Sequence, residues 1–189
     1  MFRTLTGLAA ACLTATAVAA ATLGDDGLHD APWIEETFKD LREDLADANA
    51  SGKRLLILIE QRGCIYCTRM HEEVFVVPEI EEMLTEDFYV IQINMFGDVE
   101  VVDFDGTELP EKEMVQRWGA LFTPTLMFFP QEVPDGVTAA DAAVVTMPGA
   151  FGRWTTQNLL TWVLEEGYLG DEPFQKYHAR KFAEQGSAD

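Results

Sequence analysis

Arg54-Leu55-Leu56-Ile57-Leu58-Ile59-Glu60-Gln61-Arg62-Gly63-Cys64-Ile65-Tyr66-Cys67 decides the reading of this chain. Residues 54–61 hold five consecutive aliphatic side chains, Leu55 to Ile59. A run of that length and composition is a strand buried on both faces, central in a sheet. Two cysteines separated by two residues follow at once, and Thr68–Phe75 (TRMHEEVF) reads as helix. Cys64 therefore falls where a central strand hands over to a helix N-terminus. Backbone N–H groups and the helix dipole favour an anion there, so a thiolate is stabilised. Cys67 lies inside the first turn and is the less accessible of the two. This placement makes an exposed Cys64 the nucleophile and Cys67 the resolving thiol.

Other uses of the pair fit less well. As a structural staple it closes so small a loop that the gain is about 2 kcal/mol, against roughly 4 to 5 for a long loop. A haem site needs His directly after the second Cys, and Thr68 stands there. Zinc needs three or four ligands. Cys64, Cys67 and His71 could supply three from one helix, with no second Cys or His pair after them; a small metal-binding module is the alternative from another class. His29 and His178 are remote in sequence and near the ends.

The 189 residues suit one domain, and 48% apolar with 24% charged residues suits a globular one. Thirty-three acids against 13 Lys and Arg give a net charge of −20, which argues against nucleic acid and against anionic membrane surfaces. It favours a basic patch on any protein partner. Arg3, then an uncharged small-apolar run from Leu5, then Ala19-Ala20-Ala21 reads as a secretory signal peptide over residues 1–21, cut near Ala20 or Ala21. The run is too Ala-rich and short to favour a membrane anchor. Ala9, where a lipobox prefers Leu, sets aside Cys12 as a lipoprotein site. The mature chain is expected in an exported, oxidising compartment, as a monomer.

The rest alternates helix and strand. Residues 22–32 are expected as a linker, 33–170 as the domain and 171–189 as a charged C-terminal helix or tail. Trp33–Ala50 reads as a helix with Trp33, Phe38, Leu41, Leu45 and Ala48 inward, ended by Ser51-Gly52-Lys53. Helices are expected over 78–85, 111–118 and 155–166, the last capped by Thr155 or Thr156. Strands are expected over 88–94, 125–129 and 142–147, with an acidic segment over 97–110 turning at Asp105-Gly106. The order predicts an α/β fold, a central mixed sheet flanked by helices on both faces. Asp98, Glu100, Asp103 and Asp105 read as a solvated face, His71 as a surface histidine, and Met70, Met114 and Met127 as core.

With Thr123-Pro124-Thr125 just before a later strand, Cys64-Ile65-Tyr66-Cys67 resembles the thioredoxin superfamily over roughly residues 33–168. The resemblance implies a thioredoxin-like fold and a redox-active cysteine pair needing no diffusible cofactor. It also implies a cis Pro124 beside the disulfide, leaving the Thr123 backbone to pair with an extended substrate. The alternative is that Pro124 merely opens an edge strand. Thr123, Pro124, Ile65 and Tyr66 are the candidate substrate-binding residues. A closer similarity is to the periplasmic SoxW-type thioredoxins of bacterial sulfur oxidation. It is carried by Gly52 to Leu58, Glu60-Gln61, Gly97-Asp98, Asp103 to Gly106, Glu111-Lys112-Glu113 and Phe122 to Thr125. That similarity implies protein disulfide substrates and a membrane electron donor of the CcdA/DsbD kind. An oxidant, an isomerase or a cytochrome c maturation thioredoxin of the same fold is the alternative.

Departures from the family stand at Gly63, at Ile65-Tyr66 and at Leu58, where thioredoxins carry Trp, Gly-Pro and a buried Asp. Proton transfer at Cys67 then needs another acceptor. Glu60 shares a strand face with Leu58 and is the candidate, its carboxyl raised by apolar surroundings. The other reading leaves Glu60 solvated and idle at the strand end.

Overall fold

The structure, a computed structural model, describes residues 22–186. The expected signal peptide and residues 187–189 lie outside the described part. Strands β1 (Thr22–Leu23) and β2 (His29–Asp30) form a small antiparallel hairpin. Then come β3 (Ile34–Glu35), α1 (Leu41–Ala50), β4 (Arg54–Glu60) and α2 (Ile65–Arg69). A wider π turn over Met70–Val74 extends α2. The chain continues with α3 (Pro78–Glu86), β5 (Phe88–Asn94), an acidic hairpin of β6 (Glu100–Val102) and β7 (Glu108–Pro110), and α4 (Glu111–Arg117). It closes with β8 (Thr125–Phe128), α5 (Ala139–Ala142), β9 (Val145–Pro148), α6 (Arg153–Leu164) and α7 (Phe174–Gly186).

The main sheet runs β3-β5-β4-β8-β9, with β3, β5 and β4 parallel and β8 and β9 antiparallel to their neighbours. β4 is the middle strand, and Leu55 to Glu60 are all buried. Its alternation splits the core. Leu56 and Leu58 face one cluster, covered by α2, α3 and α6; Leu55, Ile57 and Ile59 face the other, covered by α1 and α4. Glu60 falls on the Leu58 face. Met70, Met114 and Met127 are core residues, as expected. Among the described residues, no helix is long and apolar enough to cross a membrane.

Several stretches depart from the sequence reading. The first helix begins at Leu41, because the Asp40 side chain accepts from the amides of Arg42 and Glu43 while Lys39 takes a left-handed φ of 58°. Ile34 and Glu35 form β3 instead, and Phe38 is 94% exposed. The strand expected over 142–147 starts at Val145, after the short α5, and α6 is capped at Gly152 rather than Thr155 or Thr156. Residues 22–32, read as a linker, pack on the domain, burying Leu28, His29 and Ala31. The hairpin turn at Asp105-Gly106 forms as expected, with Gly106 at φ 82°. Asp103 beside it is fully buried rather than solvated, accepting hydrogen bonds from the amides of Phe104 and Ala139 and from the Trp118 indole. Arg117 pairs with both Asp103 and Asp105.

Candidate active site

β4 delivers the dithiol through a tight turn. The Cys64 amide donates to the Gln61 carbonyl, and Gly63 sits at φ 70°, a left-handed conformation that glycine adopts without strain. Cys64 is the N-cap of α2, and its Sγ accepts from the Cys67 amide at 3.0 Å. The two cysteines are joined in a disulfide, with Cα atoms 5.2 Å apart. Once reduced, a Cys64 thiolate would receive the same N–H, a charge-assisted bond. Cys67 is fully buried; Cys64, expected to be exposed, is 5% exposed. The ranking of the two holds, but only a narrow edge of Cys64 is open.

Thr123 covers that edge. The Thr123–Pro124 bond is cis, so the strand-opening alternative for Pro124 does not describe this turn. The Thr123 hydroxyl donates to Cys64 Sγ at 3.3 Å, and its carbonyl oxygen lies 3.5 Å from the same sulfur. The Thr123 amide makes no hydrogen bond among the described residues. Ile65 and Tyr66 stand out at 74% and 57% exposure, and Leu121 and Phe122 are exposed just before Thr123. An apolar cavity of about 200 Å³ opens beside this loop, walled by Trp118, Phe122, Met127 and Pro148.

Neither reading of Glu60 describes it. The side chain is fully buried, not solvated. Burial pushes its carboxyl up, but the His29 and His71 imidazoles outweigh that and hold it at about 2. His71 Nε2 lies 3.1 Å from Glu60 Oε1, the Gln92 amide donates to Oε2 at 2.8 Å, and His29 Nδ1 stands 3.7 Å from Oε2. Glu60 is therefore a carboxylate at working pH, a charge partner rather than a store of protons.

His71, expected on the surface, is 2% exposed because the π turn of α2 rolls it under the sheet end, against Trp33 and Phe75. The set Cys64, Cys67 and His71 is not assembled as a metal centre: the sulfurs are bonded to each other and the His71 ring is turned to Glu60. The grouping that does form is His29, Glu60 and His71. Sequence reasoning missed His29, Thr68 and Gln92. No local pattern marks them, since tertiary folding brings them from three separate segments.

A family model, the thioredoxin-like domain, matches residues 41–140. Among solved structures, the chain is similar to a thioredoxin-fold protein from Helicobacter pylori, with a TM-score of 0.54 and 16% identity over 70% of this chain and 81% of that one. It is similar also to a thioredoxin from Thermus thermophilus, with a TM-score of 0.51 and 22% identity over 68% of this chain and 86% of that one. At such identities the likeness shows the fold. No curated protein matches the sequence. The family match spans more than half of the chain and coincides with the β4–α2 dithiol and the Thr123–Pro124 turn, so the chain belongs to the thioredoxin-like domain family.

Proposed function

We propose that this protein is an exported thiol–disulfide oxidoreductase that reduces protein disulfides. The observation that carries the reading is Cys64 Sγ, set between the Cys67 amide and the Thr123 hydroxyl at the mouth of an apolar rim. The reduced Cys64 thiolate attacks a substrate disulfide, forming a mixed disulfide and releasing one substrate thiolate. Cys67 then attacks Cys64 Sγ, closes the internal disulfide and releases the second substrate thiolate. Two electrons pass to the substrate. The Thr123 amide and carbonyl present one edge of backbone to an extended substrate segment. Ile65, Tyr66 and Phe122 supply apolar contact.

A dithiol protein returns the electrons, so no diffusible cofactor enters the cycle. The signal-like residues 1–21 favour the periplasm, where a membrane donor of the CcdA/DsbD kind would do this. The resemblance to SoxW-type thioredoxins points to sulfur oxidation as the setting. The deciding experiment is trapping. Cys67→Ser should accumulate a covalent complex with its partner, and Cys64→Ser should trap nothing. Trapping by Cys64→Ser alone would overturn the assignment. Fractionation of cells carrying the full chain tests the compartment: the protein should be released with periplasmic contents, shortened near Ala20 or Ala21.

A further inference from the structure

Four acids and one stranded aromatic ring meet where β3 gives way to α1. Glu36, Thr37 and Phe38 from the connecting segment and Glu43, Asp44 and Asp47 from α1 line a cavity of about 380 Å³. No Lys or Arg lines it. The cations nearest in sequence are engaged elsewhere. Lys39 pairs with Glu111, Lys53 with Glu35, and Arg42 with Asp135. The Arg42 guanidinium also donates to the carbonyls of Phe104, Val133 and Pro134. Among the described residues, none of the four acids forms a salt bridge.

Asp44 is the unusual member. Glu36, Glu43 and Asp47 are exposed, whereas Asp44 is 3% exposed and its Oδ2 has no hydrogen-bond partner among the described residues. Burial holds its carboxyl up at about 7, with Thr37 pulling the other way. A buried carboxyl oxygen without a donor costs stability, and no described group of the chain offsets that cost. Phe38 stands beside it almost fully exposed. A single exposed ring is ordinary on a protein surface. A ring at the lip of an acidic cavity, above an unmatched buried acceptor, is one half of a recognition pair.

We infer that this cavity is a docking site for an arginine side chain presented by a protein partner. The guanidinium supplies N–H donors in a planar fork, which suits Asp44 and the flanking acids. Its flat face and aliphatic stem suit the Phe38 ring. A metal ion fits this place less well. Among the described residues, only His29, Glu60 and His71 bring three ligand atoms within 4.8 Å of one another, and the acids of this cavity do not. An anion is repelled by them. The net charge of −20 draws a basic partner toward the chain, and the cavity gives that attraction a fixed point. The site stands at β3, an edge of the main sheet, while Thr123 precedes β8 on the other side of β4. The inference therefore holds independently of the thiol–disulfide reading.

The test is an amide NMR titration of the oxidised full chain with the peptide acetyl-Gly-Arg-Gly-amide near neutral pH. Salt at roughly 0.15 M damps diffuse attraction to the acidic surface. The largest shifts should fall on residues 36–47. Asp44→Asn should weaken the peptide about tenfold, since it removes the buried charged acceptor. Phe38→Ala should weaken it about two- to fivefold. Glu82→Gln removes the same charge from an exposed position on α3, across the sheet, and should leave the affinity unchanged. Phe38 is too exposed for its loss to unfold the chain, and melting curves establish that Asp44→Asn is folded. Shifts scattered over the surface, or equal losses from all three variants, would mean diffuse attraction alone and overturn the inference. An unchanged affinity in Asp44→Asn, or no shift at residues 36–47, overturns it too. So does calcium chloride, titrated in parallel, if it shifts residues 36–47 at lower concentration than the peptide does.

Discussion

The Thr123 hydroxyl donates to Cys64 Sγ across 3.3 Å, linking two residues 59 positions apart in sequence. Hydrogen bonds to a charged acceptor contribute roughly 1.5 to 3 kcal/mol, and a sulfur acceptor that is partly covered falls at the low end. Thr123→Val keeps the shape and removes the donor. The reduced variant should alkylate at Cys64 about three- to tenfold more slowly near neutral pH, with little change in melting temperature. An unchanged rate would show that the Cys67 amide alone supports the thiolate.

Glu60 makes acid the weak side of this fold. Its folded-state value of about 2 lies below the ordinary 4.5, so the native state favours the ionised form. The stability it lends is fully present above about 4.5 and is lost as pH falls toward 2. Glu60→Gln takes the buried carboxylate away from His29 and His71 and should cost on the order of 3 kcal/mol at neutral pH. Urea midpoints at several pH values would show this as a flattened acid limb in the variant.

Asp44 acts in the opposite sense. It is 3% exposed on α1, and burial pushes its carboxyl from 3.8 up to about 7, with further repulsion from Asp40, Asp47 and Glu43. The folded state holds this proton where the unfolded chain has lost it, so stability falls as pH rises from about 4 through 7. Asp44→Asn should remove that decline and gain on the order of 1 to 2 kcal/mol near pH 8. Chemical denaturation of both proteins at pH 5 and pH 8 checks the sign; a variant less stable at pH 8 would contradict it.

Reduction should leave the fold standing. The Cys64–Cys67 loop has a sequence separation of 3, so opening it changes stability by no more than about 2 to 3 kcal/mol. Melting curves with and without dithiothreitol give the difference. Unfolding at room temperature on reduction would make the bond structural.

The elements whose signals are local were legible in the sequence. The run from Leu55 to Ile59, buried on both faces, announced a central strand, and two cysteines directly after it announced the site. Phe38 misled because its spacing fits a helix, while the Asp40 cap and the left-handed Lys39 start that helix later. Asp103 misled because an acid among acids looks solvated. Its partners Trp118 and Ala139 come from beyond the hairpin and draw it inside. Glu60 was found by strand parity, yet its electrostatics depend on His29 and His71, and only the folded chain sets those beside it. Period and spacing reveal which face a side chain takes, not who waits there.

The way the sheet is covered sets the smallest piece of this protein that can live alone. One face of the sheet takes much of its cover from Trp33 before the family match and from Met147, Leu159, Leu160 and Trp162 after it. A chain trimmed to residues 41–140 would keep both cysteines and the Thr123–Pro124 turn. It would also lose the α6 cover over the Leu56, Leu58, Val90 and Leu126 face, leaving part of that apolar surface to water, with β8 as an unguarded edge where β9 had paired. Such a piece would gather into aggregates sooner than it would exchange disulfides. The flanks of the recognisable domain are the shell that keeps its chemistry in solution.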